Sequence, residues 1–171
     1  MIFAVPANIL SLAEKNIQDA DTFVAELGKL CNREISYDEA LDAWMGFIVS
    51  VQTEFLEYLQ TLRGKYRLGV LSNTNPFLQG WARSSAFTSE GKSLDDYFDD
   101  LYLSYLMKCS KPGEEIYLMM LHDGNMLPHE TLFVDDGEKN IDAARALGIK
   151  TLKAVNGVDW RRELEEILKN D

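Results

Sequence analysis

Cysteine is scarce in this chain. Only Cys31 and Cys109 occur in 171 residues, and neither stands in a C-x-x-C or zinc-ligand spacing. That excludes a disulfide framework and a structural zinc site, and leaves two thiols of a reducing compartment. His122 and His129 are the only histidines; they show no ligand spacing and read as surface or loop residues. No apolar run is long enough for a spanning helix. The opening Met1-Ile2-Phe3-Ala4-Val5-Pro6 is apolar but short, lacks a basic flank and is interrupted by proline, so it does not read as a targeting segment. Basic side chains are also few: 17 Lys and Arg stand against 28 Asp and Glu, for a net charge of −11. No cluster of Lys and Arg forms a face, which argues against nucleic-acid binding. An acidic surface repels anions from a distance, so an anion site here needs locally concentrated positive charge. The expectation is a cytoplasmic protein with neither a nucleic-acid nor a membrane partner.

What the chain does contain is apolar patterning. A hydrophobic fraction of 46% supports one globular domain with a small subdomain. From Ile9 to Val51 the periodicity is helical. Phe23, Leu27 and Leu30 share one stripe, and Ser36 with Glu39 forms a capping box ahead of Ala40, Leu41, Trp44, Phe47 and Ile48. Beyond residue 50 helices and strands alternate. Phe55–Arg63 is an amphipathic helix, Tyr66–Leu71 a buried strand, and Asn75-Pro76 the start of a helix. Asp100–Ser104, Thr131–Val134 and Lys150–Val155 read as strands; Gly113–His122, Glu138–Leu147 and Trp160–Lys169 read as helices. Alternation of this kind implies an α/β fold, a Rossmann-like parallel sheet flanked by helices. It divides the chain into a partial helical cap and amino-terminal segment, 1–51, and an α/β core, 52–171.

Ligands collect beyond the carboxyl ends of such strands, and three of those ends carry chemistry. Phe133-Val134 leads into Asp135-Asp136-Gly137. Adjacent carboxylates raise one another's pKa unless a cation relieves them, and hard oxygen donors favour Mg²⁺. Asp136 is the expected principal ligand, with Asp135 and Asn140 as supporting ligands or orienters; Asp142 lies further round the helix, at the surface. A helix cap needs one aspartate, so the second argues for metal. Ser72 and Asn73 end an earlier strand before a helix, where a hydroxyl, an amide and free N–H groups would cradle an anion. Lys111, directly before Pro112, is expected to be held extended, with Pro112 opening the next helix and the ammonium placed to neutralise a phosphate or an aspartyl anion. Lys108 reads as a solvated neighbour.

In the order Ser, Lys-Pro, Asp-Asp, these motifs resemble the haloacid dehalogenase-like hydrolase superfamily. Leu71-Ser72-Asn73-Thr74-Asn75 is similar to its second motif, and Lys111-Pro112 with Glu115-Ile116-Tyr117 to its third. Phe133-Val134-Asp135-Asp136 with Ala143-Ala144 and Leu147-Gly148-Ile149 is similar to its fourth. The resemblance spans roughly residues 52 to 160; the helices before it more loosely resemble the family's inserted cap. It implies Mg²⁺-dependent phosphoryl transfer on a small phosphorylated metabolite. Ser72, Asn73 and Lys111 would hold the phosphate, Lys111 and Asp136 would be catalytic, and Asp136, Asp135 and Asn140 would serve the metal. Dehalogenase members use an aspartate nucleophile without metal, and the paired acids here favour the phosphatase branch.

That family's nucleophile is the first Asp of an Asp-x-Asp ending an apolar first strand. The only literal match is Asp19-Ala20-Asp21, preceded by polar residues and followed by helix, which fits a helix cap better than a central strand. The expectation is therefore a chain that lacks the nucleophilic strand, incomplete or inactive, with Met1–Val5 or a self-associated partner chain covering the gap. The alternative is a non-catalytic pseudoenzyme that keeps the phosphate and metal pocket. A receiver domain of two-component signalling is set aside, because there the acidic pair comes first along the chain and the lysine last.

Overall fold

The computed structural model describes residues 19–45, 51–155 and 157–169. They belong to two compact units, Met1–Lys108 and Cys109–Asp171.

The first unit begins with a helical hairpin. Helix α1 (Ala20–Cys31) starts at Asp19, whose carboxylate accepts the Thr22 N–H at 2.7 Å, and stops at Asn32 in the left-handed region, φ 53°. Helix α2 (Tyr37–Met45) opens on the expected capping box: Glu39 N–H donates to Ser36 Oγ, and Ser36 N–H to the Glu39 carboxylate. The turn between them is tight enough that a Cβ on Gly28 would lie 2.9 Å from the Arg33 carbonyl oxygen, so only glycine fits there. Phe23, Leu27 and Ala40 pack with Phe77 into a closed cluster. The Phe23 and Phe77 rings stack at 5.9 Å and Tyr37 meets Phe77 edge-on at 4.8 Å. The apolar stripe ends at Leu27: Leu30, expected to share it, is 43% exposed, because the helix is leaving the cluster as it nears its cap. Phe47, Ile48 and the Met1–Val5 segment lie outside the described residues, and so does the question of what fills the first-strand position.

Helix α3 (Thr53–Leu62) leads to β1 (Gly69–Ser72), which ends at α4 (Pro76–Ala82) with Asn75 as cap and proline at its first position. Strand β2 (Asp100–Leu103) runs parallel to β1, in register from Gly69 with Asp100 to Ser72 with Leu103. The ladder is pinned at its entry by Asp99, which accepts the Leu68 N–H at 2.9 Å and pairs with Arg63. The sequence reading extends β2 through Ser104; the structure turns there into the short helix α5 (Ser104–Met107), because the Ser104 hydroxyl is drawn to Thr74.

The second unit carries α6 (Glu114–Asp123), β3 (Leu132–Asp135), α7 (Glu138–Ala146), β4 (Lys150–Lys153) and α8 (Arg161–Lys169). Strands β3 and β4 are parallel, in register from Leu132 with Lys150 to Asp135 with Lys153. Ile116, Tyr117, Phe133, Ile141, Ala144 and Ile149 are buried around them. Pro112 does not open α6, contrary to the sequence expectation. The Gly113 N–H closes a turn onto the Ser110 carbonyl at 2.9 Å, the Lys111–Pro112 peptide is cis, and the helix begins after Gly113. Among the described residues the strands hydrogen-bond as two parallel pairs. The α/β class with parallel strands and flanking helices stands.

Phe23 and Phe77 are fully buried, and truncating a buried Phe costs about 3–5 kcal/mol. Phe77→Ala should therefore lower the unfolding free energy by about that amount in urea titration. A loss under about 1 kcal/mol would show that the aromatic cluster does not pack as described.

Candidate functional site

Strand β3 delivers Asp135 to the mouth of α7, and the side chain turns back into the protein. Its Oδ1 accepts the Gly137 N–H and the Asn140 side-chain amide, each at 2.8 Å, and its Oδ2 accepts the Lys111 ammonium at 2.6 Å. The Lys111 and Asp135 side chains are only 10% and 8% exposed. Burial pushes the Asp135 carboxyl upward, but hydrogen bonds from Lys111, Asn140 and Gly137, with the charge of Lys111, outweigh it and hold the group below the ordinary carboxylate range. The cation that the acidic pair calls for is supplied, for Asp135, by the chain itself.

Aromatic rings support this pair. The Lys111 ammonium lies 5.4 Å from the centroid of Phe133, a cation–π distance. Phe133 meets Tyr117 edge-on at 5.5 Å, and the Tyr117 hydroxyl donates to the Asn140 carbonyl at 3.0 Å. Burial, and secondarily the nearby Asp135 charge, pushes the Tyr117 phenol up to about 12, so it stays a neutral donor. Gly137 is required by space: a Cβ there would lie 2.8 Å from the Asn140 amide nitrogen and 3.0 Å from Asp135 Oδ1. Gly137, Tyr117 and Phe133 carry no role in the sequence reading. A glycine placed directly between an acidic pair and a helix is the signal that could have marked the first.

Asp136 is exposed, as is Asp142, which pairs with Arg145. With Asp135 committed to three donors, Asp136 is the carboxylate of the pair that faces solvent. Asn140, its amide nitrogen on Asp135, keeps its Oδ1 as an acceptor. No group of three His, Cys, Asp or Glu side chains able to hold a metal occurs among the described residues. Mg²⁺ does not require one: it is commonly held by one or two carboxylates, waters and substrate phosphate. Asp136 with Asn140 Oδ1 fits that hard-oxygen pattern. Lys108 is exposed with φ 60°, and His122 pairs with Asp123 at the surface.

In the first unit, Ser72 is half-buried and Asn73 exposed, while Thr74 and Asn75 behind them are buried. The free backbone cradle expected here is partly spent. The Thr74 N–H goes to Ser104 Oγ and the Leu78 N–H to Asn75 Oδ1. The Ser72 hydroxyl and Asn73 amide are the more accessible polar groups of this turn. Asp19 uses both carboxylate oxygens on Thr22, by backbone N–H and by hydroxyl, and Asp21 sits in the first turn of α1. That Asp-x-Asp begins a helix.

The geometry agrees with what known proteins resemble. A family model described as haloacid dehalogenase-like hydrolase matches residues 11–148. A Bacteroides thetaiotaomicron protein named D-ribitol-5-phosphate phosphatase is 47% identical over 157 residues, covering 92% of this chain and 76% of that protein. The structure of a HAD-like family hydrolase from Porphyromonas gingivalis superposes with a TM-score of 0.88 at 35% identity, over 99% of this chain and 82% of that one. A Bacteroides thetaiotaomicron HAD family enzyme solved with magnesium and inorganic phosphate gives a TM-score of 0.82 at 35% identity, over 91% and 78% of the two chains.

Breaking a buried ion pair by removing one partner costs about 3–5 kcal/mol, because the other charge is left buried and unpaired. Asp135→Ala should show that loss in urea unfolding, and the double variant Lys111→Met/Asp135→Leu should recover most of it. Additive losses in the double variant would show that the two side chains do not depend on each other.

Proposed function

The chain belongs to the haloacid dehalogenase-like hydrolase family, and on that premise we propose that it carries a Mg²⁺-dependent phosphatase-type site for a small phosphorylated polyol or sugar. The observation that carries this reading is the buried Lys111–Asp135–Asn140 cluster, with Asp136 left exposed beside it. A lysine oriented at a strand's carboxyl end, next to an exposed carboxylate, suits a phosphate monoester and a hard divalent cation. The name of the 47% identical relative supports the substrate class, and the magnesium and phosphate in the related enzyme's structure support the cofactor.

Each residue then has a task. Ser72 and Asn73 present a hydroxyl and an amide to phosphate oxygens. Lys111, fixed by Asp135, offsets negative charge on the phosphoryl group. Asp136 and Asn140 Oδ1 hold Mg²⁺, which when bound supplies Lewis-acid stabilisation of the phosphoryl oxygens. Residues 1–51 are assigned to a partial helical cap and amino-terminal segment, and 52–171 to the α/β core.

The attacking carboxylate is a separate matter. The first eighteen residues contain no aspartate, and Asp19 is occupied as a helix cap. This favours a second reading for the 171-residue sequence: phosphate and metal are bound with little or no turnover. The two readings share a site and differ in hydrolysis.

Titration of the chain with Mg²⁺ and inorganic phosphate, followed by thermal and urea unfolding, tests the shared site. At a hundred times its dissociation constant, one bound ligand should add about 2.7 kcal/mol of stability. Asp136→Asn should lose the Mg²⁺-dependent part. If the wild-type chain fails to hydrolyse D-ribitol 5-phosphate, the outcome decides for binding alone. Strong turnover abolished by Asp19→Asn would instead assign the nucleophile to that pair. No stabilisation by either ligand would remove the site itself.

A further inference from the structure

Ser104 is 1% exposed and stands at the first position of α5, directly after β2. A serine there would ordinarily serve its own helix. This one does not: α5 has Leu103 as its cap residue and no side-chain cap. The Ser104 hydroxyl instead reaches a residue thirty positions earlier. It accepts the Thr74 N–H at 3.0 Å and donates to the Thr74 carbonyl at 3.1 Å. Thr74 Oγ1 also receives the Gln79 amide at 3.3 Å. Thr74 is thus held by both backbone groups and by its side chain, with 2% of its surface exposed.

The parallel ladder fixes the chain as far as Ser72, opposite Leu103. Ser104 fixes it again at Thr74. Only Asn73 lies between these two anchored positions, and it is exposed. A strand end clamped on both sides of a single residue has little freedom to redirect its side chains. This is the arrangement by which buried polar groups preorganise a contact they do not themselves make.

We propose that Ser104 is a positioning residue, which sets the Ser72 hydroxyl and the Asn73 amide for a phosphate oxygen by clasping Thr74 from behind. The proposal rests on the phosphate-binding reading above. Ser104 touches no ligand; its effect passes through the Thr74 backbone. Hydroxyl and carbonyl are matched one donor to one acceptor each way, so alanine removes both bonds and adds none.

The test uses the 171-residue chain, labelled for NMR, with inorganic phosphate as probe in the presence of Mg²⁺. In the wild-type chain, phosphate should move the amide resonances of Ser72 and Asn73. Ser104→Ala should speed exchange of the Thr74 amide, and weaken phosphate about five- to tenfold, the order expected for losing one or two neutral hydrogen bonds. Ser104→Cys, close in shape but a poor hydrogen-bonding group, should do the same and serves if the alanine variant fails to fold. Leu27→Ala, in the α1–α2 cluster, should lower stability without changing phosphate affinity, which separates positioning from general destabilisation. If Ser104→Ala frees the Thr74 amide yet leaves phosphate affinity within about twofold, a change of under about 0.5 kcal/mol, the positioning role is overturned while the phosphate reading stands. If phosphate moves neither Ser72 nor Asn73 in the wild-type chain, both fall.

Discussion

The second unit depends on one ion pair. Lys111 and Asp135 are almost wholly withdrawn from water, and a buried charge is tolerated only when paired and hydrogen-bonded. Each partner is therefore the condition for the other. Their contact ties the turn before α6 to the end of β3. Asn140 adds α7 through the same carboxylate, and Tyr117 returns from α6 to the Asn140 carbonyl. Three elements and a turn are thus closed around one aspartate. The bonds that orient Lys111 and the packing that holds the unit are the same set. A sequence change at Gly137 would be felt at once by Asp135 and Asn140, since a Cβ has no room there.

Both units follow one rule at their strand ends. In each, buried polar groups satisfy one another and leave a neighbouring polar side chain facing solvent. Behind Ser72 and Asn73 stand Thr74, Gln79 and Ser104; beside Asp136 stand Asp135, Lys111 and Asn140. Orientation is settled in the fold, before any ligand arrives, so less ordering remains to be done on binding. The first unit is less complete. Asn75 Nδ2 and Gln79 Oε1 are buried without a hydrogen-bond partner, each at a cost of about 1–3 kcal/mol if nothing satisfies it.

The sequence was most legible where local chemistry decides structure. The capping box at Ser36 and Glu39, the Asn75-Pro76 helix start, the parallel strands and the three motif-bearing strand ends are all written in residues close together along the chain. What could not be read are the bonds that join distant residues. Ser104 to Thr74 spans thirty positions, and the Tyr117 hydroxyl and Asn140 carbonyl meet across twenty-three. A tyrosine in an apolar helix reads as core, and a serine at a strand end reads as turn chemistry, until the fold supplies the partner. The Pro112 start failed for a related reason: proline is compatible with a first helical turn, but the Gly113 N–H had a nearer acceptor in Ser110. The acidic pair shows the same limit. Sequence gives two adjacent carboxylates and asks for a cation; only geometry shows that they part company, one paired inward with Lys111 and one left exposed.

That division has an electrostatic consequence for the whole chain. Lys111 is balanced by Asp135, so this pair adds no net charge at the strand end. The protein around the pair carries a net charge of −11, so the long-range field does not favour a phosphate dianion. Lys111 gives direction and a short-range hydrogen bond, but no surplus of positive charge. On the proposed reading, the surplus comes with a divalent cation held at Asp136. Metal and phosphate are then partners in occupancy, each making the site more hospitable to the other. An acidic protein can therefore hold an anionic substrate without a basic surface, provided that the cation is drawn first. The net acidity that argues against nucleic-acid and free-anion binding is, on this view, what makes cation capture easy.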